Sequence, residues 1–256
     1  MIKQIIKNRK SQKIAVIVDI APKQKGLAFV MHGLGGFKEQ PHIQAFAQAF
    51  RKKGYTVILF DATNSIGESH GKLENATMTN YYEDLEDVIS WASGQNFYQE
   101  PFILCGHSLG AMSAALFAEK NQLKVKALAP ISLAVSGKLS EQTPDFKKIS
   151  KDWKKNGIRE WESSSQPGLI KSLKWSHVLD RRKYDLLPGA AKLNMPVLLI
   201  VGDWDDVTPL EHQKIFYKKI TGKKQLHIIK NAPHTFVAKE QLDEIKKIIK
   251  KWIEGI

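Results

Sequence analysis

The chain has 256 residues, 43% of them hydrophobic and 9% aromatic, which supports one main globular domain with a substantial core. Its formal net charge of +13 at pH 7 comes mostly from lysine. Bidentate recognition of bases and phosphates favours arginine, so the composition argues against a nucleic-acid partner. The single cysteine, Cys105, excludes a disulfide within the chain, is typical of a small core residue, and favours a reducing, cytoplasmic setting.

The distribution of charge also bears on membranes and partners. No stretch approaches the roughly 20 consecutive apolar residues that span a bilayer, so we expect no stable membrane insertion. Most lysines are scattered along predicted helices, where a solvated helix face is the simplest explanation. The sequence leaves the oligomeric state open, with a homodimer as one option.

Apolar runs and amphipathic stretches alternate along most of the chain. Strands are predicted at residues 2–7, 14–20, 26–31 and 55–60, in the apolar run that begins at Phe102, and at 123–130, 195–202 and 225–229. Helices are predicted at residues 42–53 and 79–91, directly after Ser108, and at 210–220 and 239–253. The first two strands suggest a hairpin, and the alternation that follows is typical of a parallel sheet.

The alternation is lost between residues 136 and 188, a segment that contains Trp153, Trp161 and Trp175. Long connections without simple periodicity are often lids or insertions. We expect residues 1–135 and 189–256 to form the core and residues 136–188 to form a cap. The three tryptophans have two interpretations, which stay open here: they contact substrate, or they pack the insertion onto the sheet.

The clearest chemical signal is Gly106-His107-Ser108-Leu109-Gly110, at the end of the apolar run from Phe102. In a G-x-S-x-G turn between strand and helix, the serine is strained and exposed, and the glycines avoid collisions where the strand and helix pass closely. The helix that follows aims its N-terminal amides at the same place. Ser108 is therefore the candidate nucleophile, and the Leu109 N–H is placed to stabilise an oxyanion.

A serine nucleophile needs a base. Of the eight histidines, His107 is adjacent to Ser108, and its side chain should point away from that of the serine. His234 lies in a loop between the last predicted strand and the last helix, at the sheet edge where sites are usually built. It is the best candidate for the base.

The base needs an orienting acid, and three carboxylates follow the strand predicted at 195–202: Asp203, Asp205 and Asp206. Asp203 directly follows Gly202, where it is expected to bond turn amides. Neighbouring side chains in an extended loop point in opposite directions, so only one of the other two can face the histidine. The chain order of serine, aspartate and histidine differs from the orders in the chymotrypsin and subtilisin types.

These motifs resemble those of the α/β-hydrolase superfamily, in its serine esterase and serine aminopeptidase-like (S33-type) branch, over nearly the whole chain. Residues 32–36, His-Gly-Leu-Gly-Gly, are similar to the H-G-x-G-G oxyanion loop, and residues 106–110 to the nucleophile elbow. Residues 202–209 match G-x-x-D-x-x-x-P, and residues 232–234 resemble the histidine loop. Residues 61–69 resemble the D-x-R-G-x-G-x-S loop, although Asn64 stands where arginine is common.

The resemblance implies an α/β-hydrolase fold, with a mostly parallel eight-stranded sheet, helices on both faces and an inserted cap. It assigns the acid to Asp205 and adds the Leu34 N–H to the oxyanion site. It also implies that no metal or organic cofactor is needed. Among members of the branch, the sequence is most similar to small bacterial carboxylesterases such as cinnamoyl or feruloyl esterases, whose cap shapes the acyl pocket.

We therefore expect a serine hydrolase that cleaves carboxylic esters through an acyl-enzyme, with a small-molecule ester as its substrate. Thioesterases, monoacylglycerol or lysophospholipid lipases and aminopeptidases share this chemistry and remain alternatives. The rival of another class is a non-catalytic binding or scaffold protein of this fold. The presence of Ser108, Asp205 and His234 together argues against that rival.

Overall fold

The computed structural model describes residues 1–163 and 168–256. Residues 164–167, which fall within the expected cap, lie outside the described residues. The strands are β1 (Ile2–Lys7), β2 (Lys13–Asp19), β3 (Gly26–Met31), β4 (Tyr55–Phe60), β5 (Phe102–His107), β6 (Val125–Ile131), β7 (Ile158–Glu162), β8 (Ile170–Lys174), β9 (Val197–Gly202) and β10 (Lys224–Ile229). The helices are α1 (Pro41–Arg51), α2 (Met78–Ser93), α3 (Leu109–Lys120), α4 (Gly137–Ser140), α5 (Pro144–Asn156), α6 (Ser176–Arg181), α7 (Leu210–Lys219) and α8 (Lys239–Ile253).

Eight strands form one sheet, in the order β1-β2-β4-β3-β5-β6-β9-β10. The pairs β1–β2 and β2–β4 are antiparallel, and the remaining neighbours are parallel. Strands β3, β4, β5 and β9 are buried along their whole length, as expected for parallel strands covered on both faces. The predicted mostly parallel eight-stranded sheet is confirmed.

The sheet separates two apolar layers. On one face, α1 and α8 pack against the sheet through residues such as Phe46 and Trp252. On the other face, α2, α3 and α7 contribute residues such as Leu85, Met112 and Phe216. Cys105 lies in β5 and is buried in the first of these layers, in agreement with its predicted role as a small core residue. Among the described residues, no helix combines the length and apolar character needed to cross a membrane.

Two expectations about elements need correction. The strand predicted from residue 123 begins at Val125, because residues Gln122–Lys124 form a 3₁₀ turn that leaves Leu123 96% exposed. The segment after residue 136 is also more regular than its sequence suggests. It holds α4, α5, the antiparallel hairpin of β7 and β8, and α6. These elements are short, and the many lysines of α5 obscure its apolar positions at Phe146, Ile149 and Trp153.

Candidate active site

Ser108 lies in the sharp turn between β5 and α3. Its φ of +53° is in the left-handed region that residues other than glycine rarely adopt. Both flanking glycines are required by close packing. A Cβ atom on Gly106 would lie 2.5 Å from the Gly110 carbonyl group, and one on Gly110 would lie 2.3 Å from the His32 carbonyl oxygen. This strained turn is the geometry of a nucleophile elbow.

Three side chains from three loops form a hydrogen-bonded chain. Ser108 Oγ lies 3.0 Å from Nε2 of His234, which is in the loop after β10. His234 Nδ1 lies 2.9 Å from Oδ2 and 3.0 Å from Oδ1 of Asp205, in the loop after β9. The structure thus brings together the predicted nucleophile, base and acid at the carboxyl edge of the sheet. Such an arrangement can activate a serine hydroxyl for nucleophilic attack.

Asp205 is buried and well supplied with donors. It accepts hydrogen bonds from the backbone N–H groups of Val207 and Thr208 and from the Thr208 hydroxyl. Burial alone would raise the pKa of this carboxyl, but the attraction of His234 and the hydrogen bonds from His234 and Thr208 outweigh burial and hold the pKa well below its usual range. Asp205 is therefore a carboxylate at neutral pH and accepts the Nδ1–H of His234.

The neighbouring carboxylates do not contact the histidine side chain. Asp206 is exposed to solvent. Asp203 Oδ1 accepts the backbone N–H of Ala232 at 3.3 Å and so links the loop after β9 to the loop that carries His234. Of the three candidate acids, Asp205 is the one that the structure brings to the imidazole.

A second loop, after β3, is fixed by a buried histidine. The Ala62 N–H donates to His32 Nε2 at 3.0 Å, so the proton is on Nδ1, which donates to the Gly33 carbonyl at 2.7 Å. The Gly36 N–H donates to the same carbonyl at 3.0 Å. Burial lowers the pKa of His32 and keeps it neutral. The loop is thereby held with Leu34 next to the serine.

Leu34 and Leu109 both line the cavity that contains Ser108 and His234. Leu109 is the first residue of α3, where backbone N–H groups have no partner within the helix. Within the part of the chain that the structure describes, neither of the two N–H groups has an acceptor. Both predicted amides therefore lie beside Ser108 with no acceptor among the described residues.

The loop at residues 61–69 lacks the common arginine, and a lysine from elsewhere binds its carboxylate. Asn64 adopts φ +58° and bonds Asn80 and the Lys72 N–H. Buried Lys38 places Nζ 2.7 Å from Oδ2 of buried Asp61, and its backbone N–H donates to the other carboxylate oxygen. The loop is thus anchored without an arginine.

A cavity of about 190 Å³ extends from Ser108 and His234 into the segment at 136–188. Trp153 and Trp161 line this cavity. Trp175 is not part of the described lining of this cavity. Its ring packs edge-on against the Trp153 ring, with 5.4 Å between the ring centres. A larger groove of about 800 Å³ lies at the outer edge formed by β10 and α8 and contains none of Ser108, Asp205 and His234.

The sequence did not predict a role at this site for several residues that the structure places there. Thr208 bonds Asp205, and His107 bonds the His234 backbone. Arg159 and Arg181 line the cavity without an ion pair among the described residues. The sequence does contain one indication that arginines matter here: three of the five arginines in the chain lie in the segment at 136–188.

Comparison with known proteins agrees with this geometry. Residues 22–185 match the family model for serine aminopeptidase, S33. An uncharacterized 31.7 kDa protein from the traX-finO intergenic region of Escherichia coli is 27% identical, over 81% of this chain and 82% of that protein. Est1E from Butyrivibrio proteoclasticus, solved with ferulic acid bound, is 22% identical with a TM-score of 0.81, over 98% of each chain.

A second solved structure, alpha/beta hydrolase domain-containing protein 10 from mouse, is 18% identical with a TM-score of 0.81, over 100% of this chain and 99% of that one. At such low identities these two likenesses establish the fold. The family match covers well over half of the chain. The chain therefore belongs to the serine aminopeptidase family S33 and has the α/β-hydrolase fold.

Proposed function

We propose that this protein is a serine hydrolase that cleaves carboxylic esters through an acyl-enzyme. The observation that carries the proposal is the hydrogen-bonded chain from Ser108 through His234 to Asp205, next to two backbone donors that have no acceptor in the described part of the chain. Family membership supports the hydrolase class independently. The reaction needs no metal or organic cofactor, because side chains and amides supply every proton transfer and charge contact.

In the first half-reaction, His234 Nε2 removes the proton from Ser108 Oγ as the oxygen attacks the ester carbonyl carbon. The carbonyl oxygen becomes an oxyanion and accepts the N–H groups of Leu34 and Leu109. When the carbon–oxygen bond to the alcohol breaks, protonated His234 gives its proton to the departing alcohol. In the second half, water replaces the alcohol, and the same steps release the acid and restore Ser108.

Asp205 orients the base in this scheme. By accepting the Nδ1–H, it keeps the lone pair of His234 on Nε2, towards the serine, and stabilises the imidazolium that forms in each half-reaction. Its depressed pKa means that it stays ionised throughout the pH range in which a histidine base works.

We further propose that residues 136–188 are a cap over a core of residues 1–135 and 189–256. Phe146, Trp153 and Trp161 supply much of the apolar cavity wall, which suits an organic acyl group. Est1E, which has the same fold, is known with an aromatic acid, ferulic acid, bound to it. The proposed location is the cytoplasm, on the basis of the single buried cysteine.

An aminopeptidase is the second candidate, because the family model carries that name. Such an enzyme must hold the substrate's α-amino group, which is largely protonated at neutral pH. The described lining of the cavity presents two arginines, Arg159 and Arg181, and one carboxylate, Asp145. This excess of positive charge disfavours binding of a cationic amine, and it therefore favours an esterase over an aminopeptidase. Thioesters and glycerol monoesters are cleaved by the same chemistry and belong in any substrate screen.

The test is release of p-nitrophenol from p-nitrophenyl acetate by the wild-type protein and by Ser108→Ala. We expect a rapid burst of one equivalent followed by steady turnover in the wild type, and neither in the variant. Esters of graded chain length, thioesters and alanine p-nitroanilide then rank the reaction classes. Wild-type turnover no faster than that of Ser108→Ala would contradict the proposal.

A further inference from the structure

Arg181, the last residue of α6, is a half-buried cation that forms no ion pair with any residue of 1–163 or 168–256. Its Nε and Nη2 atoms are inaccessible to solvent and have no acceptor among the described residues. The nearby carboxylate of Glu141 is held by Arg182, with two hydrogen bonds of 2.6 and 2.8 Å. The Arg181 guanidinium instead lies over the Phe146 ring, 5.7 Å from its centre. Burial lowers its pKa to about 10, so it remains charged at neutral pH.

The cavity beside Ser108 holds a second arginine. Arg159 lies over the Trp161 ring, 5.0 Å from its centre. Asp145 is the one carboxylate of the described lining, and it is not within ion-pair distance of either arginine. Asp145 also belongs to the first turn of α5, where a negative charge is favourable. The cavity therefore carries excess positive charge.

A neutral histidine completes this wall of the cavity. His177 is 1% exposed, and its Nδ1 bonds the Ala76 carbonyl at 3.1 Å, so the proton is on Nδ1. Its Nε2 is then an acceptor, and it has no donor in the described part of the chain. Burial lowers the pKa of His177 to about 3, so the ring is neutral and adds no charge to that of the arginines.

We propose that the cap cavity binds a carboxylate carried by the ester substrate, with Arg181 as its principal partner and Arg159 as a second cation. This inference rests on the proposed esterase function and names the substrate class. The Arg181 guanidinium lines the cavity but has no counter-ion among the described residues, and a substrate carboxylate supplies the opposite charge from the cavity side. Arginine presents its donors as a planar fork that matches a carboxylate.

Paired substrates test the inference in the wild-type protein. On the acyl side, p-nitrophenyl hydrogen adipate is compared with the ester whose terminal carboxylate is replaced by a carboxamide. On the alcohol side, 4-acetoxybenzoate is compared with 4-acetoxybenzamide. Each kcat/KM is divided by the rate of alkaline hydrolysis of the same ester. We expect a preference of about 10- to 100-fold for the carboxylate in one of the two arms, and that arm identifies the part of the substrate that enters the cavity.

Variants distinguish binding of the carboxylate in the cavity from a general attraction by the net positive charge of the protein. Arg181→Met should reduce the preferred ratio to within about threefold of one, and Arg181→Lys should keep part of it. The matched control is Lys183→Gln, which removes an exposed charge two residues away and should leave the ratio unchanged. If Arg181→Met does not fold, Arg159→Met should still reduce the ratio.

Binding of adipate, measured by calorimetry, gives a readout that needs no turnover. We expect binding to the wild type and to Lys183→Gln, and at least tenfold weaker binding to Arg181→Met. Ratios below about threefold in both substrate arms, with normal hydrolysis of p-nitrophenyl acetate, would overturn this inference and leave the esterase proposal standing. If p-nitrophenyl acetate is not hydrolysed, the esterase proposal fails, and calorimetry alone decides whether the cavity binds the anion.

Discussion

His107 Nε2 lies 2.9 Å from the backbone carbonyl oxygen of His234, and the two imidazole rings are 4.9 Å apart. Burial, and then the proximity of a second imidazole, lower the pKa of His107 to about 3, so its ring is neutral at physiological pH. Nε2 must then carry the proton and donate it to the carbonyl. The residue next to Ser108 in sequence thus positions the loop that carries His234.

We expect His107→Phe to lower kcat about tenfold, because it keeps an aromatic ring but loses the hydrogen bond to the His234 loop. KM should change less than twofold, since His107 is not part of the cap cavity. His107→Gln, which restores a donor, should recover part of the loss. Steady-state kinetics with p-nitrophenyl acetate measure kcat and KM for the wild type and the two variants. Equal kcat in His107→Phe and the wild type would show that the contact is passive.

The three aspartates after β9 should respond differently to neutralisation. Asp205→Asn should lower kcat by about 10⁴, because an amide leaves His234 in the wrong tautomer. Asp206→Asn, at an exposed position, should cost less than tenfold. Asp203→Asn should mainly lower Tm, since its carboxylate links two loops. Kinetics at saturating substrate and melting curves for all three variants decide this assignment. A large loss at 206 with near-normal turnover at 205 would show that the acid is wrongly assigned.

Two tryptophans of the 136–188 segment provide a matched pair. Trp161 lines the cavity, whereas Trp175 packs behind Trp153. We expect Trp161→Leu to change the ratio of kcat/KM between hexanoate and acetate esters by fivefold or more, through lost contact with the longer chain. Trp175→Leu should leave that ratio within twofold and lower Tm by several degrees. The opposite pattern would show that Trp161 does not contribute to acyl-chain specificity.

Glu119 on α3 makes stability depend on pH. Its Oε1 is buried without a donor among the described residues, and burial raises the pKa of the carboxyl to about 7. The folded protein therefore holds the Glu119 proton more tightly than the unfolded chain, in which the pKa is near 4.5. The contribution of Glu119 to stability is fully present below pH 4.5 and is lost as pH rises through about 7.

We therefore expect Glu119→Gln to stabilise the protein at pH 8 by roughly 1 kcal/mol, after allowance for solvent screening. This is a rise in Tm of about 2 to 4 °C. At pH 4.5 the variant and the wild type should melt together. Calorimetric Tm values at several pH values test this, and a constant difference between the proteins would exclude ionisation of Glu119 as its cause.

The sequence was informative where one residue type is dictated by local geometry. The elbow glycines, the apolar runs of β3 and β4 and the loop order of Ser108, Asp205 and His234 all follow from patterns a few residues long. The role of His107 could not be predicted in this way, since its partner is the backbone of a loop 127 residues away. The same holds for Arg181, since the absence of an acceptor for its Nε and Nη2 among the described residues depends on how distant parts of the chain pack around it.

Labelling with a fluorophosphonate, followed by peptide mass spectrometry, tests the central claim most directly, because such a probe reacts rapidly with an activated serine hydroxyl. We predict one adduct per chain, on Ser108, and a rate of labelling at least 10³ lower in His234→Ala. Ser108→Ala should not be labelled. A wild-type labelling rate equal to that of His234→Ala, or an adduct on another residue, would contradict the account.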